Sequence, residues 1–227
     1  MSVSEDRTVQ STPITLVSVP GIADPAPLGL AAFALTTFLL SALNANWMTH
    51  ATGSTWIPYA LAYGGIAQLL AAMWEFRNRN VVGATGFGTF GAFWIGLALY
   101  FLLEVNPAVA AAAKAPLTLP IVAGHIHHDL AWILLGFGIF TTYILILVTQ
   151  TNTALFATFF FLWVTIIILV IGFFSLSGTA TTSGIVQFGG YVGIVTAFVA
   201  WYTSAAGMAA GIGGRLKLPV GPPLLKP

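Results

Sequence analysis

Cysteine is absent from the 227 residues, which removes disulfides, thiolate catalysis and Cys-ligated metals from consideration but identifies no compartment. Charge is scarce as well. Asp, Glu, Lys and Arg make up 6% of the chain, against about a quarter in a soluble domain whose surface must face water. None lies between Pro25 and Trp74, and none between Leu130 and Gly214. Uncharged stretches of that length belong in lipid. The formal net charge of +1 comes without a basic stripe or a base-stacking motif, so nucleic acid is not an expected partner. Phosphate-cradling glycine loops, zincin motifs and a Ser/His/Asp order are also missing. We therefore expect no enzyme and no cofactor.

What is present is apolar: 58% of the residues are hydrophobic. At about 20 residues per crossing, with short turns between, the chain holds about six membrane-spanning helices. The expected spans are 25–47, 56–76, 82–103, 130–149, 154–174 and 185–212. Asp24 is placed to cap the first helix, with Pro25 at its first position, where no amide proton is needed. The segment 105–128, with its alanine run, Pro116 and Pro120, reads as the longest connection. The fold class is thus an all-α integral membrane protein. Residues 1–23 read as a disordered tail, 24–212 as the transmembrane domain and 213–227 as a C-terminal tail. Arg7, Arg77, Arg79, Arg215, Lys217 and Lys226 fall on one side of such a chain and Lys114 on the other. Short cytoplasmic segments carry the positive excess, so both termini are expected in the cytoplasm of a multi-pass protein of the cell membrane.

Polar side chains inside a span must face protein or a watery path, because hydrocarbon offers them no partner. On the first span Phe33, Thr37, Ser41 and Asn44 fall on one helical stripe. Gln68 lies near the middle of the second. Phe87, Phe90 and Trp94 align on the third, and Thr158, Leu162 and Thr165 on the fifth. These four stripes can line one lumen, with polar steps and an aromatic waist. A plainer reading has the hydroxyls and amides bonding between helices, at about 0.6 kcal/mol each. No charged residue sits at mid-membrane, so coupling to protons would fall to Glu75, Glu104, Asp129, histidine, water or the solute. Small residues at four-residue spacing permit close helix contact. Ala84, Gly88, Ala92 and Gly96 form one such ridge, and Gly189, Gly193 and Ala197 another.

His125, His127, His128 and Asp129 form a cluster with metal-ligand chemistry at the mouth of the fourth span. It lacks a well-placed third ligand, and we read it as a solvated or oligomer-contact cluster, not a metal site. Trp47, Trp56, Trp74 and Trp132 fall near span ends, where tryptophan anchors at the interface.

The segment Asp24-Pro25-Ala26-Pro27-Leu28-Gly29-Leu30 resembles the Asn-Pro-Ala-Pro-Leu-Gly-Leu signature of the acetate uptake transporter family, also called the GPR/FUN/YaaH or succinate-acetate permease family. Thr36-Thr37-Phe38-Leu39-Leu40 with Asn44, Tyr63-Gly64-Gly65-Ile66-Ala67-Gln68 running to Glu75, and Phe87-Gly88-Thr89-Phe90-Gly91-Ala92-Phe93-Trp94 agree with it. So does Leu218-Pro219-Val220-Gly221, and the resemblance covers about 24–221. It implies a six-helix protomer in a homo-hexamer, each protomer with its own pore for acetate and, in some members, succinate, with or without proton symport. The family's constriction of Phe, Tyr and Leu corresponds to Phe33, Phe90 and Leu162. Phe90 replaces the family tyrosine and makes the waist more apolar. Asp24 replaces the signature asparagine and adds a carboxylate at the pore entrance, where it or Glu75 would couple protons. Thr37, Ser41, Asn44, Gln68, Phe87, Thr158 and Thr165 would bind substrate on either side. A channel for ammonia or another neutral solute on the same scaffold, and a non-transporting membrane sensor, are the competing readings.

Overall fold

A computed structural model describes residues 21–48, 54–114, 118–177, 180 and 182–225. The expected tail over 1–23 therefore lies almost wholly outside the described residues. Six helices are long and apolar enough to cross a membrane: α1 (Ala26–Asn44), α2 (Ile57–Arg77), α3 (Val81–Ala112), α4 (Leu119–Val148), α5 (Thr153–Ser175) and α6 (Gly184–Ile212). They form a ring in which each helix packs on the next and α6 closes extensively on α1. The apolar outer faces, with Leu70, Met73, Ile139, Ile146, Phe188 and Phe198 exposed, have no water-compatible coat. This is a multi-pass membrane protein.

Helix starts follow local chemistry. Asn80, Asn152 and Ser183 accept from the amides of Gly83, Leu155 and Val186 at 3.1, 2.9 and 3.3 Å, capping α3, α5 and α6. At α1 the expectation shifts by one residue. Pro25 is the cap residue, and Asp24 accepts from the Ala26 amide at 2.9 Å. Gly213 ends α6 in the left-handed region at φ 66°, where a side chain is disfavoured.

The segment 105–128 departs from expectation. It is not a long loop: α3 runs through Pro107 to Ala112, and α4 starts at Leu119. Proline in a helix crowds the carbonyl four residues earlier, here Leu103. A π-helical stretch, Phe101–Val105, immediately precedes the α-helical turn Asn106–Ala112 that contains Pro107, and its wider winding relieves that crowding. Thirty-two residues of α3 span about 48 Å, so the two helices stand beyond an apolar core about 30 Å thick on the side away from residues 21 and 225. The histidine cluster accordingly sits inside α4 and is divided between its faces. His127 is buried and stacked on Phe173 at 6.4 Å, while His125, His128 and Asp129 are exposed and Asp129 accepts from the Tyr100 hydroxyl at 3.1 Å.

Trp56 is a second correction. It is 1% exposed, its ring edge-on to Phe101 at 5.0 Å, whereas Trp47, Trp74 and Trp132 stand exposed as interfacial anchors do. The start of α2 is roofed by α3, which carries Trp56 inward. Gly189, Gly193 and Ala197 are all buried within the protomer. A Cβ on Gly193 would collide with Ser41 Oγ, and one on Gly189 would come 2.8 Å from Leu169 Cδ2. On the other ridge Ala84 is buried but Ala92 and Gly96 are exposed.

The C-terminal tail is ordered where described. The Val220 carbonyl accepts from the Ala154 amide (2.8 Å), Pro222 from the Thr153 hydroxyl (2.7 Å) and Pro219 from the Tyr202 hydroxyl (2.7 Å). The Leu224 and Leu225 amides donate to the Thr149 carbonyl. Residues 218–225 form a strap across the α4–α5 link.

Candidate functional site

A cavity of about 500 Å³ opens on the side carrying both described ends. Its rim carries Asp24, Asn78, Asn80 and Asn152, and the strap contributes Leu218 and Val220. Deeper in, Gln68 and Glu75 of α2 face Phe87 of α3 and Thr158 of α5. A second, narrow cavity of about 50 Å³ lies towards the other side, lined by Thr37, Ser41 and Asn44 of α1, Trp94 of α3 and Thr165 of α5 among others. The two share three lining residues: Phe33, Phe90 and Leu162. All three are buried. The Phe33 and Phe90 rings meet edge-on at 5.7 Å, and Phe140 backs Phe90 at 5.5 Å. Between the cavities there is thus an apolar neck.

Each residue expected at the constriction, the binding positions or the pore entrance lines one cavity or the other. Asp24, Gln68, Glu75, Phe87 and Thr158 fall on the wide one, and Thr37, Ser41, Asn44 and Thr165 on the narrow one. The helical stripes bring them together because α1, α3 and α5 each turn one face to the ring's axis. Asn78, Asn80, Asn152 and Thr203 are additional, while Trp94, on the expected third-span stripe with Phe87 and Phe90, lines the narrow cavity. The first three read in sequence as loop or cap residues, and Thr203 lies outside the expected stripes. The seven-residue spacing of Thr158 and Thr165, matched by that of Thr196 and Thr203 on α6, is the signal that could have found it.

The hydroxyls differ in what they offer. Thr158 and Thr165 donate to the carbonyls of Ala154 (3.0 Å) and Phe161 (2.8 Å), and pair with Thr203 (3.4 Å) and Thr196 (3.2 Å). Thr203 and Thr196 also lie within reach of the Val199 and Val192 carbonyls of their own helix, and each supplies its proton either there or to its partner threonine. A hydroxyl has one proton, so these threonines present lone pairs only. Thr37 Oγ1, in contrast, has no hydrogen-bond partner among the described residues, and neither do Trp94 Nε1 and Gln68 Oε1, while the Glu75 carboxyl faces the side-chain amides of Asn80 and Asn78. Glu75 is 0% and Gln68 1% exposed. Unpaired buried polar groups are costly, and at these positions they line a path. Gly83 makes room for Glu75, since a Cβ there would lie 2.7 Å from its carboxyl carbon. Among the described residues no group of three or more His, Cys, Asp or Glu could hold a metal.

Relatives share this architecture. The bacterial acetate channel SatP superposes with a TM-score of 0.71 at 28% identity, covering 88% of this chain and 99% of that one. In sequence, the chain is 34% identical over 204 residues to acetate permease A of Emericella nidulans, covering 87% of this chain and 65% of that protein. It is 30% identical over 201 residues to the succinate-acetate/proton symporter SatP of Escherichia coli K12, covering 88% and 96%. Ammonia transport outward protein 2 of Saccharomyces cerevisiae is 34% identical over 187 residues, covering 82% and 62%. The chain spans less than two thirds of the length of the first and third of these curated relatives. Residues 7–222 match the model of the GPR1/FUN34/yaaH family, and with this fold and these relatives the chain belongs to that family.

Proposed function

We propose that this protein carries acetate and similar small monocarboxylates across a cell membrane, with the neck of Phe33, Phe90 and Leu162 as the constriction. The observation that supports this best is the meeting of the two cavities at three apolar side chains. An ionised carboxylate loses much solvation in such a ring, while the neutral acid loses far less. Polar groups on both sides therefore have to hold the carboxyl group, and the neck favours a short methyl-bearing acid. The wide cavity has room for a dicarboxylate such as succinate, which the neck would pass less readily.

Both termini are assigned to the cytoplasm on the charge distribution, which makes the wide cavity the inner vestibule. Asp24 and Glu75, on its wall, are the carboxyl groups placed to exchange a proton with the passing acid. We assign a homo-hexamer, for which the exposed Ala92 and Gly96 of α3 offer a surface of close approach between copies. A second reading, passage of ammonia, is favoured by the absence of a hydroxyl at Phe90 and by the name of the yeast relative.

Uptake of labelled acetate into proteoliposomes tests the proposal, with empty liposomes as control because acetic acid crosses lipid unaided. Saturable uptake above control, competed by unlabelled acetate and not by ammonium, is the expected result. No excess over control would overturn it.

A further inference from the structure

Phe90 carries no polar atom, so no hydrogen bond fixes its ring in the neck; other rings do. Phe33 of α1 meets it edge-on at 5.7 Å, Phe159 of α5 lies tilted at 6.3 Å, and Phe140 of α4 stands edge-on at 5.5 Å. Phe33 lines both cavities and Phe159 the wide one, whereas Phe140 lines neither. Phe140 is buried at 8% exposure, and the half-exposed Tyr143 ring meets it edge-on at 5.1 Å in turn.

The backbones around the neck leave this position to side chains. Here α3 rests directly on α2, since a Cβ on Gly91 would lie 2.9 Å from Leu69 Cγ and 3.1 Å from the Gly65 carbonyl oxygen. Likewise α4 rests on α5, where a Cβ on Gly138 would lie 3.2 Å from Ile166 Cγ2. Helices α3 and α4 touch each other far less than the other neighbouring helices do. Aromatic pairs bridge them instead: Phe90 with Phe140, and Phe93 with Phe137 at 4.8 Å. Edge-to-face contacts of this kind are directional as well as apolar, and packed interiors respond to a change of a single methylene. With α3 and α4 each seated on its other neighbour, the bulk at position 140 decides how far the Phe90 ring stands into the path.

We infer that Phe140 is a positioning residue for the constriction: it lies outside both cavities, and by bracing the Phe90 ring it sets the width of the neck and the largest acid that passes. This rests on the transport reading above and adds to it a side chain that the solute does not meet. A smaller residue at 140 opens a space beside Phe90 into which the ring turns, and the neck widens. A larger one drives the ring further in, and the neck narrows.

Phe140→Leu and Phe140→Trp test the brace in the full-length protein, reconstituted in proteoliposomes. Phe140→Leu should raise uptake of butyrate relative to acetate about tenfold, the low end of what one methylene decides in an apolar fit. Phe140→Trp should lower maximal acetate uptake several-fold. The KM for acetate should stay near the wild-type value in both, because the cavity walls are unchanged. Lower uptake in both variants with wild-type selectivity is what a merely structural residue would give, and it would overturn the inference. In a Phe90→Leu background the selectivity effect of Phe140→Leu should disappear, since residues that act through one another do not add; full additivity would overturn the brace. A readout that needs no transport is para-fluorophenylalanine placed at position 90, whose fluorine resonance in detergent should shift and sharpen on Phe140→Leu. An unmoved resonance would overturn the inference. Absence of wild-type uptake would instead strike the transport reading, and the fluorine resonance alone would then decide whether Phe140 braces Phe90. Should a variant fail to fold, Phe140→Met replaces it: a raised butyrate-to-acetate ratio with a moved resonance supports the brace, and wild-type values for both overturn it.

Discussion

Phe33 and Leu162 close the neck with carbon alone, so shortening either removes bulk without removing a hydrogen bond. Phe33→Ala or Leu162→Ala should raise acetate flux several-fold and admit butyrate or succinate. Competition of labelled acetate by a series of unlabelled acids reads the change directly, and an unaltered series in both variants would remove these side chains from the path. Glu75 poses the opposite question, because its carboxyl is buried on the wall of the vestibule beside the Asn80 and Asn78 amides, with no cation to neutralise it among the residues lining that cavity. Glu75→Gln keeps its shape and removes its titration. Stimulation of uptake by an inward-acidic gradient should vanish in this variant while saturable uptake at equal pH persists; full stimulation would exclude Glu75 from coupling. At this scale the polar residues of the spans are legible through helical spacing, since a stripe on α1 or α5 must face one direction. Which atoms lack a partner is not legible. That depends on Thr158 donating to its own helix and Thr37 not doing so, a difference that no spacing encodes.

Helices here are positioned by what is missing from their surfaces. At Gly193 the α6 backbone approaches Ser41 so closely that even a methyl group collides, whereas a Cβ on Gly211 meets nothing within 4 Å. Overpacking a tight contact costs about 1–3 kcal/mol. Gly193→Ala should therefore lower the thermal midpoint in detergent by several degrees, as a loss of about that size does. Gly211→Ala should leave it unmoved, and equal midpoints for both would contradict the close α1–α6 contact. The elements themselves are largely readable from the sequence, because uncharged apolar runs of sufficient length have one stable form in lipid. Residues 105–129 are not. Pro107, Pro116, Pro120 and three histidines are loop-like by composition, yet helix continues on both sides of the segment 115–117, through a π turn before Pro107 and with Pro120 in the first turn of α4, where proline is tolerated.

For the whole molecule, six membrane-spanning helices are expected from the hydropathy of the chain, their closure into a ring by α6 on α1 is a finding of the structure, and the six-fold assembly is expected from resemblance. Mass measurement of the protein in detergent or in native nanodiscs should give six copies. Exposed Gly96 offers a probe: Gly96→Trp should lower that number or weaken the assembly without disturbing the fold of one protomer, and an unaffected hexamer would place the contact elsewhere. The strap cannot be read from the sequence, because residues 218–225 are apolar and proline-rich and are held by groups distant in the chain, Thr149, Thr153 and Tyr202. Its hydrogen bonds make the tail part of the vestibule wall, with Leu218 and Val220 facing the lumen. A fluorescent protein or purification handle fused directly behind Leu225 would therefore hang beside the opening. Uptake rates taken from such a fusion would register the cargo as well as the carrier, and a handle cleaved before assay is the safer choice.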